Sequence, residues 1–351
     1  MYSKDIAKLA GVSRSTVSRV FNNYPNVSVE TKEKVNRIIK KYNYVPHGPA
    51  RTLAGKHNKV IGVFIINVDH KDEKFNVFRN TYFSPFTGAA IDCADKLGYN
   101  VLVVVIDKNS DFRKIRELFN NKTLSGGIFI GALNSPPKIL ELVESGYKLV
   151  IIDQDQNYQS KVKGNYIIVN SNNFEGAYTA TKYLIELGHH NIAHICGDIK
   201  KLSGSERLKG YKRKMNEAGL KIKKHYIANG DFTENSGYRC AKELLKGKNN
   251  NKNKITGIFC SNDAMAIGAI KAITEMKLRI PDDISIIGYD DTEISSYISP
   301  SLTTIRSSIL KMASVATRNI IDFIENGIES SKFHVIPTEL IERSSTKKLE
   351  N

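Results

Sequence analysis

The chain is poor in cysteine, has no long apolar run and lacks the residue constellations on which most catalysis rests. Its four cysteines (Cys93, Cys196, Cys240, Cys260) lie far apart in 351 residues and form no C-x-x-C pair. Cys196 and Cys260 fall inside apolar runs, where a reduced, buried thiol is expected and a metal ligand or disulfide is not. No apolar stretch approaches the ~18 residues of a membrane span. The opening Met1-Tyr2-Ser3-Lys4-Asp5-Ile6 has no charged-then-apolar leader pattern. The expectation is a cytoplasmic chain with no membrane partner. Metal spacing, a dinucleotide-type glycine loop and a nucleophile elbow are all missing, so no metal, cofactor or enzymatic activity is expected. His189 and His190 sit in a Gly-His-His-Asn turn and read as structural. Asp290 and Asp291 are adjacent on an extended segment, so they point to opposite sides and do not form a carboxylate pair.

Acidic residues are also scarce at the start of the chain. Residues 1–59 hold twelve Lys and Arg against Asp5, Glu30 and Glu33, a formal +9 out of the chain's +16. Charge concentrated in this way suits phosphate neutralisation. The other +7 is read as the background of a lysine-rich chain.

The same segment has the pattern of three short helices. The first covers about 3–10, with Ser3 as a possible cap and Ile6, Leu9 and Ala10 facing inward. Ser13 is placed to cap a second helix with Val17, Val20 and Phe21 inside, and Ser28 a third with Val35, Ile38, Ile39 and Tyr42 inside. Small residues and Gly11 stand where two helices must cross closely and turn. The exposed side of the second helix is polar and basic, as a helix entering the DNA major groove requires. A Pro-Gly-Pro cluster (46, 48, 49) then reads as a linker.

From Val60 the periodicity changes. Short β-rich runs (60–66, 101–106, 127–130, 149–152, 166–169, 192–196, 257–260, 284–287) alternate with helical patterns such as 174–187 and 205–218. That order implies parallel sheets covered by helices, and the number of runs favours two doubly wound lobes. Asp107, Asp153, Asp198, Asn262, Asp263, Asp290 and Asp291 each fall at the end of an apolar run. There a polar residue either caps the next helix or faces a ligand beyond the carboxyl ends of the strands. For Asn262-Asp263 the expectation is one side chain in each role.

The run D-I-A-K-L-A-G-V-S-R-S-T-V-S-R-V-F-N (5–22), followed by V-S-V-E-T-K-E-K-V (27–35), Y-V-P (44–46) and A-R-T-L-A-G (50–55), resembles the lactose-repressor/galactose-repressor family of bacterial transcription regulators. The resemblance continues through E-L-G-H-H-N-I-A-H-I (186–195), E-R-L-K-G-Y (206–211), G-D-F-T-E-N-S-G-Y (230–238), S-N-D-A-M-A-I-G-A-I (261–270), P-D-D-I-S-I-I-G-Y-D-D-T (281–292) and L-T-T-I-R (302–306). It implies an α/β chain with a two-lobed, type I periplasmic-binding-protein-like effector domain behind an all-α helix-turn-helix domain. The helix-turn-helix domain would span 1–46, a hinge 47–58 and the effector and dimerisation domain 59–343. Lobe 1 would take about 59–164 and 308–336, lobe 2 about 165–307 and 337–343, leaving 344–351 as a tail.

The resemblance also implies roles. Arg14 and Ser15 occupy base-reading positions, with Arg19 further along the same side. Arg14 would pair with guanine O6 and N7, or else contact a phosphate. Ser3, Thr16 and Ser18 are phosphate-positioning groups. Ala50 and Leu53 belong to the hinge, where Leu53 matches the wedge that opens a minor-groove step in this family. Arg207, Asn262 and Asp290 match effector-binding positions, Asp153 a fourth, and Phe232 an aromatic that stacks on the ligand. Tyr82 and Phe83 complete the set more loosely, because Asn67–Arg79 is longer than the usual loop before them. Ser171 stands where many relatives carry Asp.

Donors, acceptors and one aromatic face suit a sugar or phosphosugar effector, with a purine second. The implied protein is a repressor that binds a pseudo-palindromic operator in double-stranded DNA as a homodimer; no leucine heptad follows that would make a tetramer. A variant of this reading takes its cue from a phosphorylated protein partner. A solute-binding protein would share the lobes but would need export and no DNA module.

Overall fold

A computed structural model describes residues 3–21, 24–42, 58–67, 80–107, 112–134, 136–156, 162–246 and 254–349. The chain divides into two compact units, one of them residues 1–60 with 115–125. The hinge, including Ala50 and Leu53, and most of the 67–79 segment lie outside the described residues.

The N-terminal unit holds α1 (Ser3–Ala10), α2 (Arg14–Phe21) and α3 (Val29–Lys41) around a core of Ile6, Ala7, Ala10, Val17, Val20 and Val35. Gly11 turns the chain between α1 and α2 at φ +64, a conformation that Cβ-bearing residues adopt at a cost. Ser13 caps α2 by accepting the Thr16 N–H at 3.0 Å, and Ser28 caps α3 by accepting that of Thr31 at 3.3 Å. Two inward assignments need correction: Leu9 is 48% exposed and Tyr42 42% exposed. The buried stripe of α1 is centred between Ile6 and Ala10 on the Ala7 side. At 100° per residue that turns Leu9 about 110° away from the core.

The effector unit contains two six-stranded sheets. The first has the order β11-β5-β4-β3-β1-β2, from β1 (Val60–Asn67), β2 (Asn100–Asp107), β3 (Gly126–Ile130), β4 (Leu149–Ile152), β5 (Ile167–Ser171) and β11 (Lys332–Ile336). The second has the order β12-β10-β9-β8-β6-β7, from β6 (Ile192–Cys196), β7 (Ile227–Asn229), β8 (Gly257–Cys260), β9 (Ser285–Asp290), β10 (Thr303–Arg306) and β12 (Glu339–Ile341). In the first sheet β1 with β3, β3 with β4, β4 with β5 and β5 with β11 run parallel; in the second β6 with β7, β6 with β8, β8 with β9 and β9 with β10 run parallel and β10 with β12 antiparallel.

Helices α4 (Phe83–Lys96), α5 (Arg113–Asn120) and α6 (Pro137–Glu144) follow β1, β2 and β3 in the chain. The second has α7 (Asn173–Glu186), α8 (Leu202–Glu217), α9 (Glu234–Leu245), α10 (Asp263–Glu275) and the short α11 (Ile294–Tyr297). Helix α12 (Ile309–Asn326) crosses back, and its Met312, Ala316 and Ile320 join Ile61, Ile128 and Val150 in the core of the first lobe.

The first crossover falls later than the sequence reading placed it. Residues 165–171 belong to lobe 1, because Val150, Ile151 and Ile152 of β4 pair with Ile167, Ile168 and Val169 of β5. The chain leaves that sheet after Ser171 and enters lobe 2 with α7. The apolar run marks the strand but not the sheet it joins. The reading also passed over β7, β10, β11 and β12, whose short or polar-interrupted sequences give little periodicity. Residues 344–349, set apart as a tail, run beside the second sheet: Ile286 N–H donates to Ser345 O at 2.9 Å, and Ser345 is fully buried.

Candidate functional site

A cavity of about 530 Å³ opens between the lobes of the effector unit, lined from both sides. Tyr82, Phe83, Asp153, Arg207, Phe232, Asn262 and Asp290 all line it. They come from the ends of β4 and β9, the start of α4, the first turns of α8 and the loops before α9 and α10. This is the carboxyl-end crevice in which open α/β sheets hold ligands.

The backbone is strained where it reaches the cavity. Asp153, Phe232 and Asp290 have φ values of 63, 72 and 113, in territory non-glycine residues avoid. Such conformations persist where the surroundings over-determine them, and they gather at ligand sites. At Phe232 the supporting structure is visible. A Cβ on Gly197 would lie 2.1 Å from the Phe232 Cζ, so the ring occupies space that only glycine leaves.

A chain of polar contacts crosses the cleft. Asp153 accepts the Asn173 Nδ2–H at 2.9 Å and the Ser203 backbone N–H at 3.0 Å. Asn173 Oδ1 in turn accepts from Arg207 Nε at 2.9 Å. Arg207, 4% exposed, also donates to the Ser261 carbonyl, lies 3.6 Å from the Tyr289 ring centroid and approaches Asp290 at 3.6 Å. Burial pushes the Asp290 carboxyl up to about 7, with Arg207 pulling the other way. Ser307 Oγ contacts the same carboxylate at 3.4 Å. Burial also raises the Tyr82 hydroxyl, with Asp153 and Asp290 adding to the effect, so it remains a neutral donor and acceptor.

Asn262 and Asp263 divide their work differently from the expectation. Asn262 does both jobs: its Oδ1 caps α10 by accepting the Met265 N–H at 2.9 Å, and its Nδ2 donates to Phe232 O at 3.0 Å on the cavity side. Asp263 is turned away and fully buried. It accepts from Thr304 Oγ1 (2.6 Å), Thr292 N (2.8 Å), Thr292 Oγ1 (3.1 Å) and Ser295 Oγ (2.7 Å). Asp291 is largely covered and pairs with Arg306 and Arg343 at 2.8 and 2.6 Å.

Sequence reasoning passed over Asn173, Ser203, Lys201 and Asn80. Asn173 lies two residues past Ser171, at the start of α7. Ser203 contributes a backbone N–H, which no residue type announces. Lys201 stands 6.0 Å from the Phe232 ring centroid. Asn80 accepts the backbone N–H groups of Tyr82 and Phe83 at 3.0 and 2.8 Å and so holds the backbone turn that carries both.

In the N-terminal unit, Arg14, Ser15, Ser18 and Arg19 are exposed on α2, while Thr16 is partly buried. Arg14 Nε donates to Ser3 Oγ at 3.2 Å. The Ser13 hydroxyl lies 2.6 Å from that of Ser15 and 2.9 Å from that of Thr16. A polar and basic face therefore stands clear of the three-helix core.

Residues 4–47 match the family model of bacterial regulatory proteins of the lacI family, and residues 181–346 that of a periplasmic binding protein-like domain. The HTH-type transcriptional repressor PurR of Pasteurella multocida (strain Pm70) is 33% identical over 344 residues, 98% of each chain. The chain belongs to the lacI family. Another lacI-family relative, PurR of Histophilus somni (strain 2336), is 34% identical over 348 residues and 99% of both chains. Among solved structures, the lac repressor dimer bound to operator and the anti-inducer ONPF matches with a TM-score of 0.78 at 28% identity, covering 98% of each chain. The regulator CelR in complex with cellobiose matches at 0.71 and 25%, covering 98% of this chain and 99% of its own. As a lacI-family member the protein is a DNA-binding transcriptional repressor. No described helix is long and apolar enough to cross a membrane.

Proposed function

We propose that the protein represses transcription as a homodimer on a pseudo-palindromic operator, under the control of an uncharged, hydroxyl-rich small molecule held between the lobes. The observation that carries this reading is the cavity whose strained rim residues, Asp153, Phe232 and Asp290, present two carboxylates and an aromatic face to one space. Asn262 and Tyr82 add donors, so a ring bearing several hydroxyls finds both partners each hydroxyl needs. Its C–H face packs on Phe232.

A free sugar fits better than a phosphosugar. The lining carries Asp153, Asp231, Glu234 and Asp290 against Lys201 and Arg207, and Arg207 is already committed to Asn173, Ser261 and Asp290. A purine is the second reading, favoured by aromatic rings facing the cavity from both lobes, Tyr82 and Phe83 from one and Phe232 from the other.

Closure of the lobes on the ligand would change the spacing of the two DNA-binding units of the dimer. On DNA, α2 is the reading helix, with Arg14 and Ser15 toward the bases, and Leu53 the minor-groove wedge. Thermal-shift screening of sugars, their phosphates and purine bases against the full chain tests the effector. The reading expects a free sugar to raise the unfolding temperature and to alter operator affinity. A ligand that stabilises the fold but leaves operator affinity unchanged contradicts it.

A further inference from the structure

The charge outside the first 59 residues is concentrated. Residues 200–224 contain ten Lys and Arg against Glu206 and Glu217, a net +8. Together with the +9 of the first segment this exceeds the chain's formal +16, so all remaining residues sum to −1. A lysine-rich composition would have spread the excess along the chain. It does not account for this second block.

The fold turns much of the block to solvent on α8 and the segment that follows it. Lys209, Lys212 and Arg213 are exposed on α8, and Lys221 and Lys224 on the segment that follows it. The two carboxylates are spent on near neighbours: Glu206 pairs with Lys209 at 2.8 Å, and Glu217 with Arg213 at 2.5 Å and the Tyr178 hydroxyl at 2.6 Å. Lys212, Lys221 and Lys224 have no ion pair among the described residues. Arg207 is turned into the cleft and adds nothing to this face.

We propose that this face of lobe 2 binds the phosphate backbone of duplex DNA without regard to sequence, as a contact additional to the helix-turn-helix. The phosphate backbone asks for little beyond Lys and Arg at its surface. A protein partner asks for more, because stable interfaces are centred on buried aromatic or apolar anchors. Residues 200–224 offer no exposed large apolar side chain. Charge without anchors fits nucleic acid.

The test is the full-length chain carrying Lys212→Gln, Lys221→Gln and Lys224→Gln, titrated with a duplex lacking any operator at salt from about 50 to 200 mM. Each phosphate contact contributes about 0.9 to the slope of log K against log salt. The triple variant should therefore show a slope shallower by about 2–3, and the matching Lys→Arg triple should keep the wild-type slope. Placed in an Arg19→Ala background, the Gln triple should give the same decrement, since the two contacts are separate. Should the triple be poorly folded, each single Gln variant should lose about 0.9. A wild-type slope in the Gln variants overturns the proposal. So does a variant that keeps its duplex slope but loses binding to poly-glutamate, which would assign the face to an acidic protein.

Discussion

The carboxylate of Asp153 accepts the backbone N–H of Ser203 at 3.0 Å, so a residue of one lobe caps a helix of the other. The residue before α8, Lys201, makes no side-chain capping bond of its own. The lobes also meet where the Asn134 N–H donates to Lys200 O at 2.9 Å. The cap on α8 is therefore also a contact between the lobes.

Asp153→Ala should remove the cap and cost about 0.5–2 kcal/mol of stability. It should also loosen the lobes, since the Asn173 contact is lost with it. Urea unfolding gives the first effect, and a larger radius of gyration in solution scattering the second. Asp153→Asn retains one acceptor oxygen and should lose less. Equal stability of Asp153→Ala and wild type would show that the cap contributes nothing.

Arg207→Ala should be more damaging, because it leaves the Asn173 side-chain oxygen and the Ser261 carbonyl buried without their donor. Each buried acceptor left unpaired costs about 1–3 kcal/mol. Lysine should not rescue it: the planar guanidinium serves three acceptors while lying on the Tyr289 ring, and an ammonium has no such plane. Arg207→Lys unfolding at the wild-type denaturant midpoint would contradict this.

Asp290 makes stability depend on pH. Its carboxyl titrates at about 7 in the folded chain, against about 3.9 in an unfolded one. Between these values the folded state holds a proton that the unfolded state has released. The stabilisation is thus complete below the unfolded value and is lost as pH rises through the folded one. Asp290→Asn cannot ionise, so its unfolding free energy should change less between pH 4 and 7 than that of the wild type. Parallel curves for the two proteins would rule this out.

Arg14 should read a base. Arg14→Ala, titrated against a panel of operator sites with single base changes, should lose about 1–3 kcal/mol of discrimination at one base pair. A uniform loss at every position would make it a phosphate contact. Ser3→Ala frees the Arg14 Nε, which Ser3 otherwise accepts, and should leave the discrimination in place.

What could be read in advance depended on how local the signal was. The caps at Ser13 and Ser28 and the strand ends carrying Asp153, Asn262 and Asp290 are written in consecutive residues and were legible. Leu9 was misplaced because helical spacing alone does not say which flank of Ile6 meets the neighbouring helices. The sheet joined by 167–171 was misassigned because pairing with β4 is a relation between distant segments. Asn173, the Ser203 N–H and the hydroxyl set around Asp263 escaped for the same reason. Each acquires its role only when α7, α8, β9 and β10 converge.

In the function proposed above, occupancy of the cleft controls the grip on DNA. The direct measurement recovers bound genomic fragments with the full-length chain and titrates the recovered site with and without a ligand that stabilises the effector unit. A pseudo-palindromic site is expected, with an affinity that changes about 5- to 150-fold on saturation with that ligand. Phe232→Ala combined with Asp290→Asn should abolish the change but leave ligand-free DNA binding intact. An affinity for the site that does not move when the cleft is saturated would contradict the proposed function.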